Sequence, residues 1–241
     1  MTSANNLYKE IIIPPFLNPE SISYLLKQIT QLEKEPIRFV VLKGSETIFC
    51  DGLDLKWVAK NEKGDYMKEM RDYGEFLKKL QTSSLISIGV VKGSVSGGGM
   101  GVVCACDYVI ADEKSTFSLP EGLLGLIPGM IMPALLNKLS PQHIKKMVFA
   151  GQKYQSKIAC EFNIVDEIVQ VNEMDNALAI AMNTMKSCKK GSVGDLKQLL
   201  YASHINKDEL AQLGMNILSS KLNDPEISER LKTLAEFMEE E

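Results

Sequence analysis

Histidine is nearly absent: the chain holds only His143 and His204, and its single tryptophan is Trp57. Two histidines in separate regions leave too little for a histidine-rich metal site or a Ser-His-Asp triad. The cysteines (Cys50, Cys104, Cys106, Cys160, Cys188) are odd in number, and no pair has metal-ligand spacing. Cys104 and Cys106 lie in the apolar run VVCACDYVI and read as buried free thiols. Neither sign of charge dominates, since 27 basic and 31 acidic residues give −4. A weakly acidic chain carries no electrostatic footprint for nucleic acid or an anionic membrane. No apolar run reaches the ~18–20 residues of a membrane span, and MTSANNLYKE is no secretion signal. Two nucleotide and hydrolase signatures are missing as well. Gly93-Ser-Val-Ser-Gly97 has Val95 where a nucleophile elbow needs serine. Its glycines fail the dinucleotide fingerprint, and no Gly-Lys-Ser/Thr forms a P-loop. These absences predict a cytoplasmic globular protein without metal, membrane or nucleic-acid partner.

What is present is an alternation of strands and helices over 241 residues, long enough for one large α/β unit. Residues 8–14 read as a strand closed by Pro14-Pro15. Asn18 and Pro19 read as cap and first turn of a helix. Buried strands are expected at 37–43, 85–92, 108–111, 115–119 and 164–169. Residues 66–82 have Met67, Met70, Tyr73, Phe76, Leu77 and Leu80 at helical spacing. Further helices are expected at 131–139, 141–150 and 156–162, the last ending on Asn163 in a left-handed cap. From about 173 the pattern is helical, with a loop near Gly191–Gly194, a break at Asp224-Pro225 and a solvated acidic tail, Glu239–Glu241.

Two backbone features carry the chemistry. One is Phe49-Cys-Asp-Gly-Leu-Asp-Leu55, just after a buried strand. The other is the triplet Gly97-Gly98-Gly99 at a helix start. Glycine lets backbone approach a ligand, and the first N–H groups of a helix have no internal partner. Two such N–H groups aimed at one carbonyl oxygen would form an oxyanion hole. From the residues alone, such a glycine cluster is more often a tight turn or close packing.

Three segments in order resemble one family. IRFVVLKGSETIFCDGLDLK is similar to the strand, Gly, F-[SC]-A-G-x-D-[LI] pattern of the crotonase (enoyl-CoA hydratase/isomerase) superfamily. VVKGSVSGGGMGVVCACDYVIADEKSTFSLPEGLLGLIPG resembles its G-G-G, A-x-x-[CS]-D and P-E-x-x-x-G-[LI]-x-P-G motifs. IACEFNIVDEIV is similar to its A-x-x-x-G-[LI]-V-[DN] stretch, with Asn163 at a glycine position. The match covers about residues 37–170. It implies an α/β fold, a spiral of β-β-α repeats over residues 1–190. A helical region, 191–241, would serve oligomerisation and pocket closure. It also implies a homotrimer or dimer of trimers and an acyl-thioester substrate on CoA or acyl carrier protein, with no cofactor. By the same resemblance the N–H groups of Leu53 and Gly98 hold the thioester oxygen. Asp51, Gly52, Asp54, Gly97 and Gly129 would contact substrate.

Departures from the pattern shape the expected reaction. Hydratases of the family use two glutamates, and here the first position is Gly101. Glu121, after Pro120, is the one retained. A single carboxylate can carry a proton from C2 to C4, so the leading expectation is a double-bond isomerase. The second is a dehydratase or decarboxylase of carrier-bound polyketide intermediates. Its motive is a short N-terminal region with no Lys or Arg between Lys9 and Lys27, where the family has a CoA-holding cation. The third is a non-catalytic thioester binder. Asp51 stands in place of alanine, and Met130-Ile131-Met132 replace small residues, which suits either an altered acyl pocket or core packing. Trp57, Tyr66 and Tyr73 fall where the family lines its acyl pocket, though aromatics on an amphipathic helix also suit a core. Lys56 reads as a surface or CoA-facing charge. His204 falls where some decarboxylating relatives place a histidine.

Overall fold

The computed structural model describes residues 7–61, 66–203 and 206–237. In chain order its strands are β1 (Tyr8–Ile12), β2 (Phe39–Lys43), β3 (Ile48–Cys50), β4 (Ile86–Val91), β5 (Ser94–Ser96), β6 (Tyr108–Asp112), β7 (Thr116–Ser118), β8 (Tyr154–Gln155) and β9 (Glu167–Val169). The helices are α1 (Pro19–Leu32), α2 (Leu55–Lys60), α3 (Met67–Thr82), α4 (Gly98–Ala105), α5 (Met132–Lys138), α6 (Pro141–Ala150), α7 (Ser156–Glu161), α8 (Met174–Met185), α9 (Lys190–Ser203), α10 (Lys207–Leu222) and α11 (Pro225–Phe237).

Strands β1-β2-β4-β6-β9 form a parallel sheet in that order. A second sheet has the order β3-β5-β7-β8, parallel except for its last pair. Consecutive strands alternate between the sheets: β2 then β3, β4 then β5, β6 then β7. Helices follow each pair, so the chain winds as the expected β-β-α spiral with a helical C-terminal region.

The inner strands of the main sheet, β2, β4 and β6, are buried on both faces, as in parallel sheets generally. Val40 and Leu42 join the core beneath α1 and α3. Phe39 and Val41 point the other way, with Met174, Ala177, Leu178 and Ala181 of α8. This is the period of two that puts alternate side chains on opposite faces. A third cluster joins Val58 of α2, Leu126, Met215 and Leu218 of α10, and Leu231 of α11. It folds the C-terminal helices over the loops that follow β3 and β7.

The loop expected at Gly191–Gly194 is instead the first turns of α9. Gly194 is there for proximity: a Cβ on it would lie 3.3 Å from Ser84 Cβ. One turn on, the buried Lys197 Nζ donates to Leu85 O and pairs with Asp107 at 2.6 Å. The break at Asp224-Pro225 is present, with Asp224 Oδ1 accepting from Glu226 N and Ile227 N. Asn163 takes its left-handed cap at φ 63, and the strand after it is shortened to Glu167–Val169. His204 and the tail 239–241 lie outside the described residues. Among the described residues no helix is long and apolar enough to cross a membrane, and no cluster of three His, Cys, Asp or Glu could hold a metal.

Candidate active site

The first wall of the site is the turn after β3. Gly52 has φ +85, the left-handed region that favours glycine. Its carbonyl accepts from Leu17 N at 2.7 Å, and Asp54 N donates to Leu17 O at 2.9 Å. The residue between, Leu53, keeps an N–H with no acceptor among the described residues. Asp54 then caps α2, its Oδ1 accepting from Trp57 N at 3.0 Å.

The second wall is the turn after β5. Gly97, at φ +50, donates its N–H to Ser118 O of β7 and accepts from Met100 N. Gly98 opens α4, and its N–H also has no acceptor among the described residues. The two turns touch. A Cβ on Gly52 would stand 2.7 Å from Gly98 N, and one on Gly98 would stand 2.6 Å from Leu17 Cδ1. A Cβ on Gly99 would meet Cys50 O at 2.1 Å. Close backbone contact therefore sets Leu53 and Gly98 next to each other, with their N–H groups unclaimed. Tyr73, fully buried on α3, braces the second turn by donating to Gly98 O at 2.7 Å.

Glu121 supplies the third wall, from the 3-10 turn Pro120–Leu124 after β7. Its Oε1 would be 3.5 Å from a Cβ on Gly97. Its Oε2 is buried without a partner among the described residues. Burial pushes its pKa up from the ordinary 4.5 to about 7, opposed only by its own backbone N–H. A carboxyl poised there can take up and give back a proton near neutral pH.

A cavity of about 470 Å³ connects these groups. Of the residues singled out from sequence, Asp51, Leu53, Asp54, Gly97, Gly98 and Glu121 line it, as do Lys56, Met130 and Ile131. Gly52 does not line it but backs the Gly98 turn. Gly129 does not line the cavity, though Pro128 and Met130 on either side do; it lies against α10, where a Cβ would be 2.4 Å from Gly214 O. Trp57 and Tyr66 do not line it either and take the core alternative. They meet edge to face at 5.3 Å within the third core cluster. Gly101 is buried, and a Cβ there would be 2.6 Å from Ile131 Cγ2 and 3.1 Å from Leu77 Cδ1. Aliphatic side chains occupy the space a carboxylate at 101 would need. Phe16, Leu17, Ile22, Leu218 and Leu234 complete the cavity. The sequence offered no signal for them beyond apolar spacing that suits any core.

Residues 16–240 match the family model described as enoyl-CoA hydratase/isomerase. The chain belongs to the enoyl-CoA hydratase/isomerase family. Family membership carries crotonase-type thioester chemistry, and the relatives help to narrow it. The bacillaene synthase dehydratase PksH of Bacillus subtilis is 28% identical over 186 residues, 76% of this chain and 71% of that protein. A carnitinyl-CoA dehydratase of Salmonella enteritidis is 29% identical over 170 residues, 68% of this chain and 63% of that protein. The chain thus spans just under two thirds of the latter's length. A crystal structure of PksH from Bacillus subtilis superposes with a TM-score of 0.87 at 23% identity, over 98% of this chain and 95% of that one. This enoyl-CoA hydratase/isomerase family member therefore has dehydratases among its named relatives.

Proposed function

We propose that the chain is a dehydratase of 3-hydroxyacyl thioesters, with Glu121 as its acid and base. The observation that carries this is the Glu121 carboxyl, enclosed with its Oε2 unpartnered among the described residues, beside the unclaimed N–H groups of Leu53 and Gly98. The thioester oxygen accepts both N–H groups. Glu121 removes a proton from C2, and the charge collects on that oxygen as an enolate. The enolate re-forms the carbonyl as C2 and C3 become doubly bonded. The C3–O bond breaks, and the same carboxyl delivers its proton to the departing hydroxyl. Water leaves and Glu121 is again ionised. One carboxyl suffices when proton and hydroxyl leave from one face of the substrate, so an empty position 101 is no obstacle.

Carriage on a phosphopantetheine arm of a carrier protein is part of this reading. Phe16, Leu17 and Ile22 give the cavity wall from the cation-free stretch 10–26. Asp51 and Asp54 stand on the cavity beside one cation, Lys56, a poor setting for the phosphates of CoA. The PksH relative, named for a polyketide synthase, supports the same choice.

The test is mass spectrometry on matched acyl groups presented as carrier-protein and CoA thioesters. Loss of one water from the 3-hydroxyacyl form is expected, faster on the carrier. Glu121→Gln is expected to lower that rate on the order of 10²–10⁴. Migration of the double bond in a 3-enoyl thioester without any dehydration would return the assignment to isomerase. Binding without α-carbon deuterium exchange would make the protein a non-catalytic binder.

A further inference from the structure

A second cavity of about 340 Å³ lies between α3, α5, α9 and α10. Met130 lines both cavities. Several contacts show how thin the wall between them is. On α10, Leu218 faces the first cavity and Met215, one turn earlier, faces the second. Ile131 of the first cavity and Leu77 of the second converge over Gly101, within 2.6 and 3.1 Å of where its Cβ would stand. The backbone carrying Met130 is held in place, because Gly129 and Gly214 pack with no room for a Cβ on either. What can move is the Met130 side chain, with its flexible unbranched thioether.

The walls of the two cavities differ in chemistry. The first is mainly aliphatic around its reacting groups. The second presents Arg71, Glu75, Gln81, Lys78, Tyr201 and Asp208 on one side. Lys78 and Asp208 pair at 2.8 Å, and Tyr201 Oη donates to Asp208 at 3.1 Å. An oxygen-bearing chain can exchange hydrogen bonds with such groups, whereas a plain hydrocarbon chain cannot.

We propose that Met130 is a movable partition, and that the second cavity takes the distal, oxygen-bearing segment of a long acyl chain. This rests on the acyl-thioester reading of the first cavity and adds a substrate class to it. The reacting end stays at Glu121, and the chain passes Met130 toward α3 and α10.

The test uses saturated acyl pantetheine thioesters of increasing length, each plain or with a terminal hydroxyl, titrated calorimetrically against the full chain. These ligands carry no reacting group, so the series reads the subsite even if dehydration is disproved. While the chain end lies against the aliphatic wall of the first cavity, the hydroxyl should weaken binding roughly tenfold. Past Met130 that penalty should vanish, and each added methylene should tighten binding about fourfold. Ala211→Phe fills the second cavity and should restore the penalty at every length. A hydroxyl penalty independent of chain length in the parent protein overturns the proposal, as does absence of binding at all lengths. So does a crossover that survives Ala211→Phe in a folded variant.

Discussion

Replacing Glu121 by glutamine should make the protein more stable, and only above acid pH. The carboxyl is buried with one oxygen unpartnered, and its pKa stands at about 7 against an ordinary 4.5. Below 4.5 the acid is neutral folded or unfolded, so it contributes no pH dependence. Between 4.5 and 7 the unfolded chain releases the proton while the folded chain keeps it. The folded state then binds more protons, and stability falls as pH rises. Above 7 the loss is complete. At 1.36 kcal/mol per unit, the charged group costs about 3 kcal/mol at pH 8 and about 1 kcal/mol at pH 5. Glutamine is neutral at both. The advantage of Glu121→Gln over the parent should therefore grow by about 2 kcal/mol between pH 5 and pH 8. In urea unfolding that is a midpoint shift of about 1 M. Changes in packing or hydrogen bonding caused by the amide act alike at both pH values and cancel in the difference. A stability difference that stays constant from pH 5 to pH 8 would refute the argument, because the carboxyl would then titrate as an exposed one does.

The same group sets the pH profile of the reaction: kcat/KM should rise with pH through about 7, and the Glu121→Gln residue of activity should lack that limb. Gly52→Ala, at φ +85, sets a methyl 2.7 Å from Gly98 N and should lower turnover on the order of 10²–10³ in a steady-state assay, by displacing that oxyanion donor. Gly101→Glu should not create a hydratase; it should destabilise the fold by about 1–3 kcal/mol in urea titration, since Ile131 and Leu77 fill the space. Lys197→Met should cost about 3 kcal/mol, read by thermal unfolding, because Asp107 loses its 2.6 Å partner beside the core.

The parts of the site made from backbone were legible in the sequence. Gly52 and Gly97 take positive φ, and a Cβ on Gly99 would run into Cys50 O, so the residue type itself records the constraint. Glu121 stood out only through the resemblance of Pro120-Glu121 to the family's P-E motif, since a lone loop carboxylate carries no signal of its own. The aliphatic cavity wall was not, since Leu218 and Leu234 obey the same helical spacing whether they face a ligand or a core. Gly129 carries a constraint that the sequence alone does not separate from a ligand contact: a close approach to Gly214 demands glycine as firmly. Gly191 and Gly194 did mislead. Glycine usually weakens a helix, but Gly194 lets α9 lie against Ser84, and Lys197 then fastens it. Trp57 and Tyr66 had two readings, pocket or core, because an aromatic beside a pocket and an aromatic beneath one share a single pattern; they pack in the third core cluster.

The joining of Glu121 to walls contributed by Leu218 and Leu234 also fixes the order of events during synthesis. The ribosome makes the carboxyl more than a hundred residues before the second of those leucines. At ~5–20 residues per second, roughly ten seconds pass in between. Until α10 and α11 are made, the third core cluster lacks Met215, Leu218 and Leu231, and the cavity beside Glu121 lacks Leu218 and Leu234. The nascent chain can complete both sheets and both glycine turns while that wall is still open. The apolar wall from α10 and α11 is therefore the last part of the cavity to be laid down.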